Sequence, residues 1–427
     1  MSQTNDTKTH DTTRRDFLKT GSAAGLSLAG GLSLARSAHA QGSDELTFVL
    51  IGCGGRGTGA AVNNLSSCKG TKLIAVADAF EDRAKGSLGQ IKRRHEDQVD
   101  VPDDRVFSGF DAYKKAIACD PDIVMLATPP GFRPIHYKAA IEAGKHVFME
   151  KPCCVDAPGF RTLMEANKKA DDSGRKVVVG LQRRHQQGYI DNVKRIQDGA
   201  IGDFVFSRVF WNSGGVWTRE RQPDQTEMEY QMRNWYYFNW LCGDHICEQH
   251  VHNIDVSNWV KDAHPVEANG MGGRQVRTGN EHGQIYDHHF IEFTYPDGTK
   301  MYSQCRHIRN CWNQVSETIV GTEGQMGPGG GGPNPYNQEH IDLIAAIRQD
   351  EARNEGWYGA TSSFTAVLGR MATYSGKVIK WDEAVEKGPD IMPEQFAFDA
   401  TPPVVPDEDG NYPVAMPGMY DPFNASF

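Results

Sequence analysis

A glycine-rich segment near the start of the chain has the spacing of a phosphate-binding loop. An apolar run at residues 48–51 leads directly into Gly52-Cys53-Gly54-Gly55-Arg56-Gly57. Gly52 would allow a tight turn, Gly54 would let the backbone approach a pyrophosphate, and Gly57 would let the next helix pack closely. The N-terminus of that helix also attracts negative charge. Because the same spacing occurs in ordinary tight turns, the residues that follow must decide between the two interpretations.

An acidic residue further along the chain favours the dinucleotide interpretation. Asp78 ends a second β-rich run at residues 72–78. A carboxylate about twenty residues after the loop accepts hydrogen bonds from an adenosine ribose and repels a 2′-phosphate. The sequence therefore predicts that NAD is preferred to NADP. Arg56 and Arg83 keep NADP open. The expected cofactor residues of this region are Gly52, Gly54, Gly55, Arg56, Gly57 and Asp78.

Two further motifs follow predicted strands at their carboxyl ends. They are Ala127-Thr128-Pro129-Pro130 and Met149-Glu150-Lys151-Pro152. Open α/β sheets bind ligands at this edge, so we expect Thr128, Pro129, Glu150 and Lys151 to lie at the cofactor. The alternative for Lys151 is a solvated surface lysine.

A third motif is rich in acids and histidines. It reads Gly243-Asp244-His245-Ile246-Cys247-Glu248-Gln249-His250-Val251-His252-Asn253-Ile254-Asp255. One interpretation is a helix that has no functional site and whose histidines are solvated. A metal site is another, because His245, Glu248, His250 and His252 crowd together and Asp287-His288-His289 follows. The spacing is not that of an H-E-x-x-H zinc motif, so the sequence predicts no metal.

These motifs together resemble those of the Gfo/Idh/MocA oxidoreductases. The resemblance implies that Lys151 contacts the substrate beside the nicotinamide and that His252 moves the proton of the reacting hydroxyl. Glu248 stands where that family usually has Asp. Because residues four apart on a helix are neighbours, we expect Glu248 to orient the His252 ring and raise its basicity. Asp255, one turn later, is a candidate for a substrate hydroxyl.

Other candidate substrate residues lie in the second half of the chain. Arg183 and His185 follow the last strand predicted for the nucleotide domain. Trp235 and Tyr236 belong to an insertion at residues 213–259, rich in Trp, Tyr, Asn and His, and Tyr286 lies at a strand end. Flat aromatic faces with interleaved polar groups suit a carbohydrate ring, and a tryptophan-rich core is the alternative.

Alternating patterns predict the elements that position these residues. Strands at residues 46–51, 72–78, 123–128, 146–149 and 176–180 alternate with five helices, which predicts a parallel α/β Rossmann domain over residues 41–180. Runs at 204–212, 266–277, 288–295 and 300–306 predict a large open, mainly antiparallel sheet. With helices at 339–348 and 362–374, this sheet forms a predicted α/β substrate domain over 181–386. An extended arm would follow at residues 387–427.

Composition and the first forty residues predict where the protein works. The formal net charge of -10 argues against nucleic acid or an anionic membrane as partner, and nothing resembles a transmembrane helix. Nine cysteines without a C-x-x-C pair are not a disulfide framework. Thr13-Arg14-Arg15-Asp16-Phe17-Leu18-Lys19, with a cleavage site at Ala38-His39-Ala40, predicts a twin-arginine signal over residues 1–40 and a periplasmic or otherwise exported protein.

Export of a folded dinucleotide protein predicts a tightly held cofactor that is regenerated in place. The expected activity is an NAD(P)-dependent oxidoreductase acting on a sugar or polyol, working as a homo-oligomer, with the translocase as a transient partner. One alternative is a redox-neutral NAD-dependent glycoside hydrolase or lyase. The segment at residues 368–377 is similar to exported members of the resembled family, some of which are such glycosidases. A non-catalytic sugar-binding protein is the other alternative.

Overall fold

The computed structural model describes residues 45–425. The predicted twin-arginine segment and cleavage site lie outside the described residues, so export stays a prediction. Within residues 45–425, every helix is too short or too polar to cross a bilayer. All nine cysteines fall in this range and are free thiols.

The first sheet is parallel, six-stranded and ordered β3-β2-β1-β4-β5-β6. Its strands are nearly continuous apolar runs, because a parallel sheet has helices on both faces. The strands are β1 (Leu46–Ile51), β2 (Thr71–Asp78), β3 (Val106–Ser108), β4 (Ile123–Leu126), β5 (His146–Met149) and β6 (Val177–Val179). Five of them match the sequence prediction, and the Rossmann fold is confirmed.

Five helices connect these strands. They are α1 (Gly55–Ser67), α2 (Glu81–His95), α3 (Ala112–Ile117), α4 (Arg133–Glu142) and α5 (Ala157–Asp172). The sequence did not predict β3, because three half-buried residues are too few to show a period. Helix α5 shows how sequence sets a boundary: the Asp156 side chain accepts a hydrogen bond of 2.8 Å from the Gly159 amide, and Pro158 occupies the first turn.

The second sheet has seven strands, ordered β12-β11-β7-β10-β9-β8-β13. The strands are β7 (Phe204–Ser213), β8 (Glu267–Gly273), β9 (His288–Thr294), β10 (Lys300–His307), β11 (Gln314–Gly321), β12 (Gln325–Met326) and β13 (Ile379–Lys380). All neighbouring pairs are antiparallel except β7 with β10, so the sheet is mixed. Strand β10 buries alternate residues from Met301 to His307, which leaves the other face open as predicted.

Eight further helices accompany this sheet. They are α6 (Gln187–Gln197), α7 (Glu227–Arg233), α8 (Asn239–Cys242), α9 (His245–Glu248), α10 (Val251–Lys261), α11 (Pro335–Gln349), α12 (Gly356–Ser375) and α13 (Trp381–Lys387). Helix α12 is buried over most of its length because it contacts both α5 and the second sheet. Helix α11 covers the first sheet instead: Leu343 and Ile344 share a core with Phe48 and Leu50.

Residues 388–425, within the predicted arm, contain no helix and no extended strand. The arm packs on its own chain. The Phe398 ring lies 5.2 Å from Phe80 and 4.9 Å from Phe110, both in the first half of the sequence. Further along, the Ala415 carbonyl accepts a hydrogen bond of 2.8 Å from Tyr286 Oη.

Candidate active site

The glycine loop has the geometry that its spacing predicts. Gly52 has a φ of +98°, and a Cβ there would lie 2.3 Å from the Thr128 amide nitrogen. A Cβ on Gly57 would lie 1.9 Å from the Gly52 carbonyl oxygen. Gly54 and Gly55, in contrast, face open space with no atom within 4 Å of an added Cβ. The loop is therefore closed by contacts on one side and open to a ligand on the other.

Asp78 lies at the end of β2, beside the loop. Its Oδ2 accepts a hydrogen bond of 2.7 Å from the Cys53 amide, and its Oδ1 accepts one of 3.0 Å from the Phe80 amide. Burial raises the pKa of Asp78, and these two amides partly offset that effect. The carboxylate is thus fixed in orientation, and its remaining lone pairs are available to a ribose.

A cavity of about 460 Å³, here called the nucleotide cavity, extends from the glycine loop. That volume is in the range of small-molecule and cofactor sites. The Rossmann domain contributes the loop, Asp78, Arg83, Thr128 and Pro129, as predicted. The insertion contributes residues that the sequence assigned to a sugar pocket or left unassigned: Trp217, Arg219, Met232, Arg233 and Trp235.

Arg233 closes the insertion onto the Rossmann domain. Its Nη1 and Nη2 each lie 2.9 Å from a carboxylate oxygen of Asp82. Its guanidinium carbon also lies 3.6 Å from the centroid of the Phe80 ring. A bidentate pair combined with cation–π stacking fixes the position of the arginine better than an isolated surface pair does. The insertion is therefore joined to the Rossmann domain close to Asp78 at the end of β2.

Arg56 and Glu150 form a different unit from the one expected. Arg56 pairs with Glu150 and, at 2.8 Å, with Glu339 of α11. The Glu150 carboxylate is 5% exposed and does not line the nucleotide cavity, so its expected direct contact with the cofactor is corrected to a contact with Arg56. The sequence offered Arg56 and Arg83 as partners for the 2′-phosphate of NADP. Because two carboxylates already bind Arg56, Arg83 is the better candidate of the two.

Lys151 directly follows β5 and is largely buried. Its Nζ lies 3.0 Å from Glu248 Oε1 and also donates to the Glu248 carbonyl. The Lys151–Pro152 peptide bond is cis. Lys151 is therefore not a solvated surface residue, since its side chain is 13% exposed.

The structure corrects the expected pairing of Glu248 with His252. Helix α9 ends at Glu248 and α10 begins at Val251, so the two residues do not share a helical face. Glu248 binds Lys151 instead. The His252 ring stacks on Trp211 with centroids 5.8 Å apart, and its Nδ1 is buried without a hydrogen-bond partner. Burial and the charge of Lys151 lower the pKa of His252, so its imidazole is neutral and can accept a proton.

Two predicted substrate residues form buried ion pairs within the protein. Asp255 is 1% exposed, forms a bidentate pair with Arg184 at 2.9 Å and accepts from Ser362 at 2.8 Å. His185 is also buried, with Nδ1 2.6 Å from Asp342 and Nε2 3.2 Å from Glu355. Burial opposes protonation of His185, but these carboxylates raise its pKa to about 10. Neither side chain is free to bind a sugar.

Of the remaining predicted substrate residues, one contacts the C-terminal arm and the others lie near His252 or the nucleotide cavity. Tyr286 is buried and donates to the C-terminal arm, so its expected substrate contact is corrected. Arg183 pairs with Glu317 close enough to His252 for its charge to lower the pKa of that histidine. Trp235 lines the nucleotide cavity, and its ring lies 5.6 Å from that of Tyr236.

Tyr236 has a feature that the sequence could not show. Its hydroxyl is buried and has no hydrogen-bond partner, although the ring is enclosed by Trp217, Trp235 and His307. A buried hydroxyl without a partner is costly, which makes this group available to a ligand. Aromatic crowding in the insertion was the one signal in the sequence that pointed to it.

A parallel sheet with a glycine loop, a terminal acid and a cavity at its carboxyl edge defines a dinucleotide-binding protein of the Rossmann type. Residues 46–181 match the family model of the Gfo/Idh/MocA oxidoreductases, described as an NAD-binding Rossmann fold. This part of the chain is therefore similar to the NAD-binding domain of that family.

Curated relatives extend the similarity. An inositol 2-dehydrogenase/D-chiro-inositol 3-dehydrogenase of Halalkalibacterium halodurans is 30% identical over 221 residues, which cover 51% of this chain and 53% of the relative. This chain thus spans about half the length of that relative. The scyllo-inositol 2-dehydrogenase (NAD(+)) of Bacillus subtilis is 23% identical over 316 residues, covering 71% of this chain and 78% of the relative.

A solved structure supports the arrangement of both sheets. The myo-inositol dehydrogenase from Lactobacillus casei, in complex with NAD(H) and myo-inositol, superposes with a TM-score of 0.61. The match is 17% identical and covers 79% of this chain and 96% of that one. At this identity the likeness establishes the shared fold: a Rossmann domain followed by a mixed-sheet domain.

The buried Arg184–Asp255 pair generates a stability prediction. Asp255→Asn keeps the shape of the side chain but leaves the Arg184 charge buried without its partner. We expect the free energy of unfolding to fall by about 3–5 kcal/mol, as for other broken buried pairs. Urea denaturation measures it. Asp198→Asn is the control, because that pair with Lys194 is exposed and should change stability by less than about 1 kcal/mol. Equal, small losses in both variants would contradict the structural role of Asp255.

Proposed function

We propose that this protein is an NAD-dependent oxidoreductase that acts on a hydroxyl of a sugar or polyol and keeps its cofactor bound through turnover. The observation that carries the proposal is the oriented Asp78 carboxylate beside the glycine loop, together with the largely buried Lys151–Glu248 pair and with neutral His252, whose pKa burial and the Lys151 charge lower. The inositol dehydrogenases among the relatives support a polyol as substrate class.

The residues of the nucleotide cavity fit NAD. The open space at Gly54 and Gly55 suits a pyrophosphate at the N-terminus of α1, and the oriented Asp78 carboxylate suits two ribose hydroxyls. The same carboxylate would repel a 2′-phosphate, which supports NAD over NADP. Bound NAD would supply the acceptor for a hydride from the substrate carbon.

Lys151 and His252 would handle the proton of the reacting hydroxyl. A neutral imidazole can accept that proton, and the ammonium of Lys151 can stabilise the negative charge that develops on the oxygen. Glu248 holds Lys151 in place through its side chain and its carbonyl. The lowered pKa of His252 means that the basic form persists below the usual titration range of a histidine.

The insertion would hold the cofactor in place. Trp217, Trp235 and Arg233 line the nucleotide cavity, and the Arg233–Asp82 contact joins this part of the insertion to the Rossmann domain. A dinucleotide could leave only when this contact opens. Such retention agrees with export through the twin-arginine pathway to a periplasmic or other extracytoplasmic location, which we propose from residues 13–19 and 38–40.

Cofactor retention can be measured directly. We expect the purified protein to carry about one NAD per chain after gel filtration, quantified by chromatography after acid denaturation. Arg233→Ala should lose NAD several-fold to about tenfold faster, because one bidentate contact and one cation–π contact are removed. Arg221→Ala is the matched control: it pairs with Glu227 and stacks on Tyr230 within the same insertion. Protein without nucleotide that binds NAD only weakly would contradict retention.

A redox test separates an oxidoreductase from a redox-neutral enzyme. A sugar or polyol alone should reduce the bound NAD once, seen as nicotinamide absorbance, and a second carbonyl compound should reoxidise it. His252→Ala and Lys151→Ala should each lower turnover on the order of a hundredfold, with NAD still bound. Lys300→Ala, which removes a lysine paired with Glu292 on the second sheet, is the control.

Two results would redirect the proposal. Cleavage of glycosides over many turnovers with no acceptor present would replace it with an NAD-dependent glycosidase that uses the same residues. Absence of both reactions in protein that retains NAD would favour a non-catalytic binding protein.

We also propose that the outer face of the second sheet is a contact between copies of this chain. Met271 and Phe290 oppose each other on β8 and β9, and both apolar side chains are exposed. Met271 is 75% exposed and Phe290 is 41% exposed. Clusters of this kind on a soluble protein mark interfaces.

Sedimentation velocity tests the subunit contact. The protein should sediment as a dimer or larger assembly, and Phe290→Lys should shift it toward the monomer because a charge would be buried. Val378→Lys, an exposed valine outside the named strands, should leave the assembly unchanged. A monomer at micromolar concentration would overturn this part.

A further inference from the structure

A cluster of one acid and two histidines lies behind the candidate active site. Asp244, His245 and His289 each direct one donor atom into the same space, and these three atoms lie within 4.8 Å of one another. The residues are 0%, 0% and 1% exposed. Asp244 and His245 begin α9, whereas His289 comes from β9, so the fold brings together distant parts of the chain.

Three of the four histidine ring nitrogens in this cluster have no hydrogen-bond partner. Both ring nitrogens of His245 are buried without one, although Nδ1 lies 2.8 Å from Asp244 Oδ1. His289 Nε2 is also unpartnered and lies 3.3 Å from Asp244 Oδ2 without an aligned hydrogen bond. Buried polar atoms without partners are costly and rare, so a ligand that binds all of them would remove this cost.

The carboxylate needs a positive partner as well. Among the described residues, no lysine or arginine nitrogen lies within 4.0 Å of the Asp244 carboxylate, and its ion-pair contacts are His245 and His289 alone. A buried carboxylate is normally paired or bound to a metal. Asp244 also has a φ of +74°, a strained conformation for a residue other than glycine, and such strain collects at ligand sites.

Hydrogen bonds from neighbouring residues fix the orientation of two side chains of the cluster. His289 Nδ1 lies 2.9 Å from Thr373 Oγ1, which fixes the ring with Nε2 directed at Asp244. Tyr374 Oη donates to Asp244 Oδ2 at 2.5 Å, and the Tyr286 amide donates to the same atom at 3.0 Å. Outer hydrogen bonds of this kind orient metal ligands.

We propose that Asp244, His245 and His289 bind a divalent first-row metal ion, with zinc as the favoured ion. Two imidazoles and one carboxylate are a donor set that Zn²⁺ accepts, with metal–ligand distances of about 2.0–2.2 Å. The three donor atoms lie within 4.8 Å of one another. For an ion placed between them, each donor atom must move toward the ion by less than about 1 Å to reach those metal–ligand distances. The position differs from the histidine group that the sequence suggested, because His250 bonds Ser303 and His252 stacks on Trp211.

The proposed ion has a positioning role. It would tie the start of α9 to β9, and Glu248, which holds Lys151, lies at the other end of the same short helix. The ion is separated from the nucleotide cavity, since none of its three ligands lines that cavity. The site would therefore bind its metal whether or not the proposed redox reaction occurs.

Metal analysis of the purified protein tests the site. Protein purified without a metal-affinity tag should contain about one equivalent of zinc or another first-row divalent ion by inductively coupled plasma mass spectrometry. His289→Ala should lower this content at least about tenfold. His288→Ala is the control. The His288 side chain is next to His289 in sequence, but it is half-exposed, bonds Asp287 and lies outside the cluster.

The wild-type protein alone can decide the question if His289→Ala fails to fold. After unfolding with a chelator, refolding with Zn²⁺ should yield a higher thermal midpoint than refolding without it. A wild-type protein without stoichiometric metal would overturn the proposal, because a proton on His289 would then take the place of the ion. Equal metal content in His289→Ala and wild type would overturn it too.

Discussion

A parallel sheet must be covered by apolar surface on both faces, and here the second half of the chain supplies part of that cover. Helix α11 returns to the first sheet and inserts Leu343 and Ile344 into its core. Glu339 of the same helix thereby reaches Arg56 beside the glycine loop. Helix α12 packs between α5 and the second sheet, so the two sheets share one continuous core. The relative position of Lys151 and Glu248 depends on this shared packing.

Buried charge determines which polar residues remain available for chemistry. Arg184 and Asp255 neutralise each other, and His185 is held as a cation between Asp342 and Glu355. These groups have no capacity left for a substrate. His252 and the Tyr236 hydroxyl differ, because each is buried with a polar atom that lacks a partner. Among the buried polar residues that the sequence proposed for the substrate or for proton transfer, the absence of a partner thus distinguishes His252 and Tyr236 from Asp255 and His185.

The nucleotide cavity is built from segments far apart in sequence. The Rossmann domain provides the loop and Asp78, whereas the insertion provides further lining residues and contacts the Rossmann domain through Arg233. The C-terminal arm then packs Phe398 against Phe80 and Phe110 beside this lining. A lining of aromatic and cationic side chains suits a planar, anionic cofactor. The same arrangement would slow the release of a bound dinucleotide, as we propose.

The sequence by itself determined the elements with local signals. The glycine loop, Asp78, the strand ends at Thr128 and Lys151, and the open sheet follow from period, glycine placement and apolar runs, which act within a few residues. Only the tertiary structure decided which side chains meet. Helix α9 ends at Glu248 and α10 begins at Val251, so Glu248 and His252 are not neighbours on one helix as their spacing predicted. Asp255 pairs with an arginine seventy-one residues away. Such partners are chosen by long-range packing and by the need to neutralise buried charge, and neither leaves a periodic trace in the sequence.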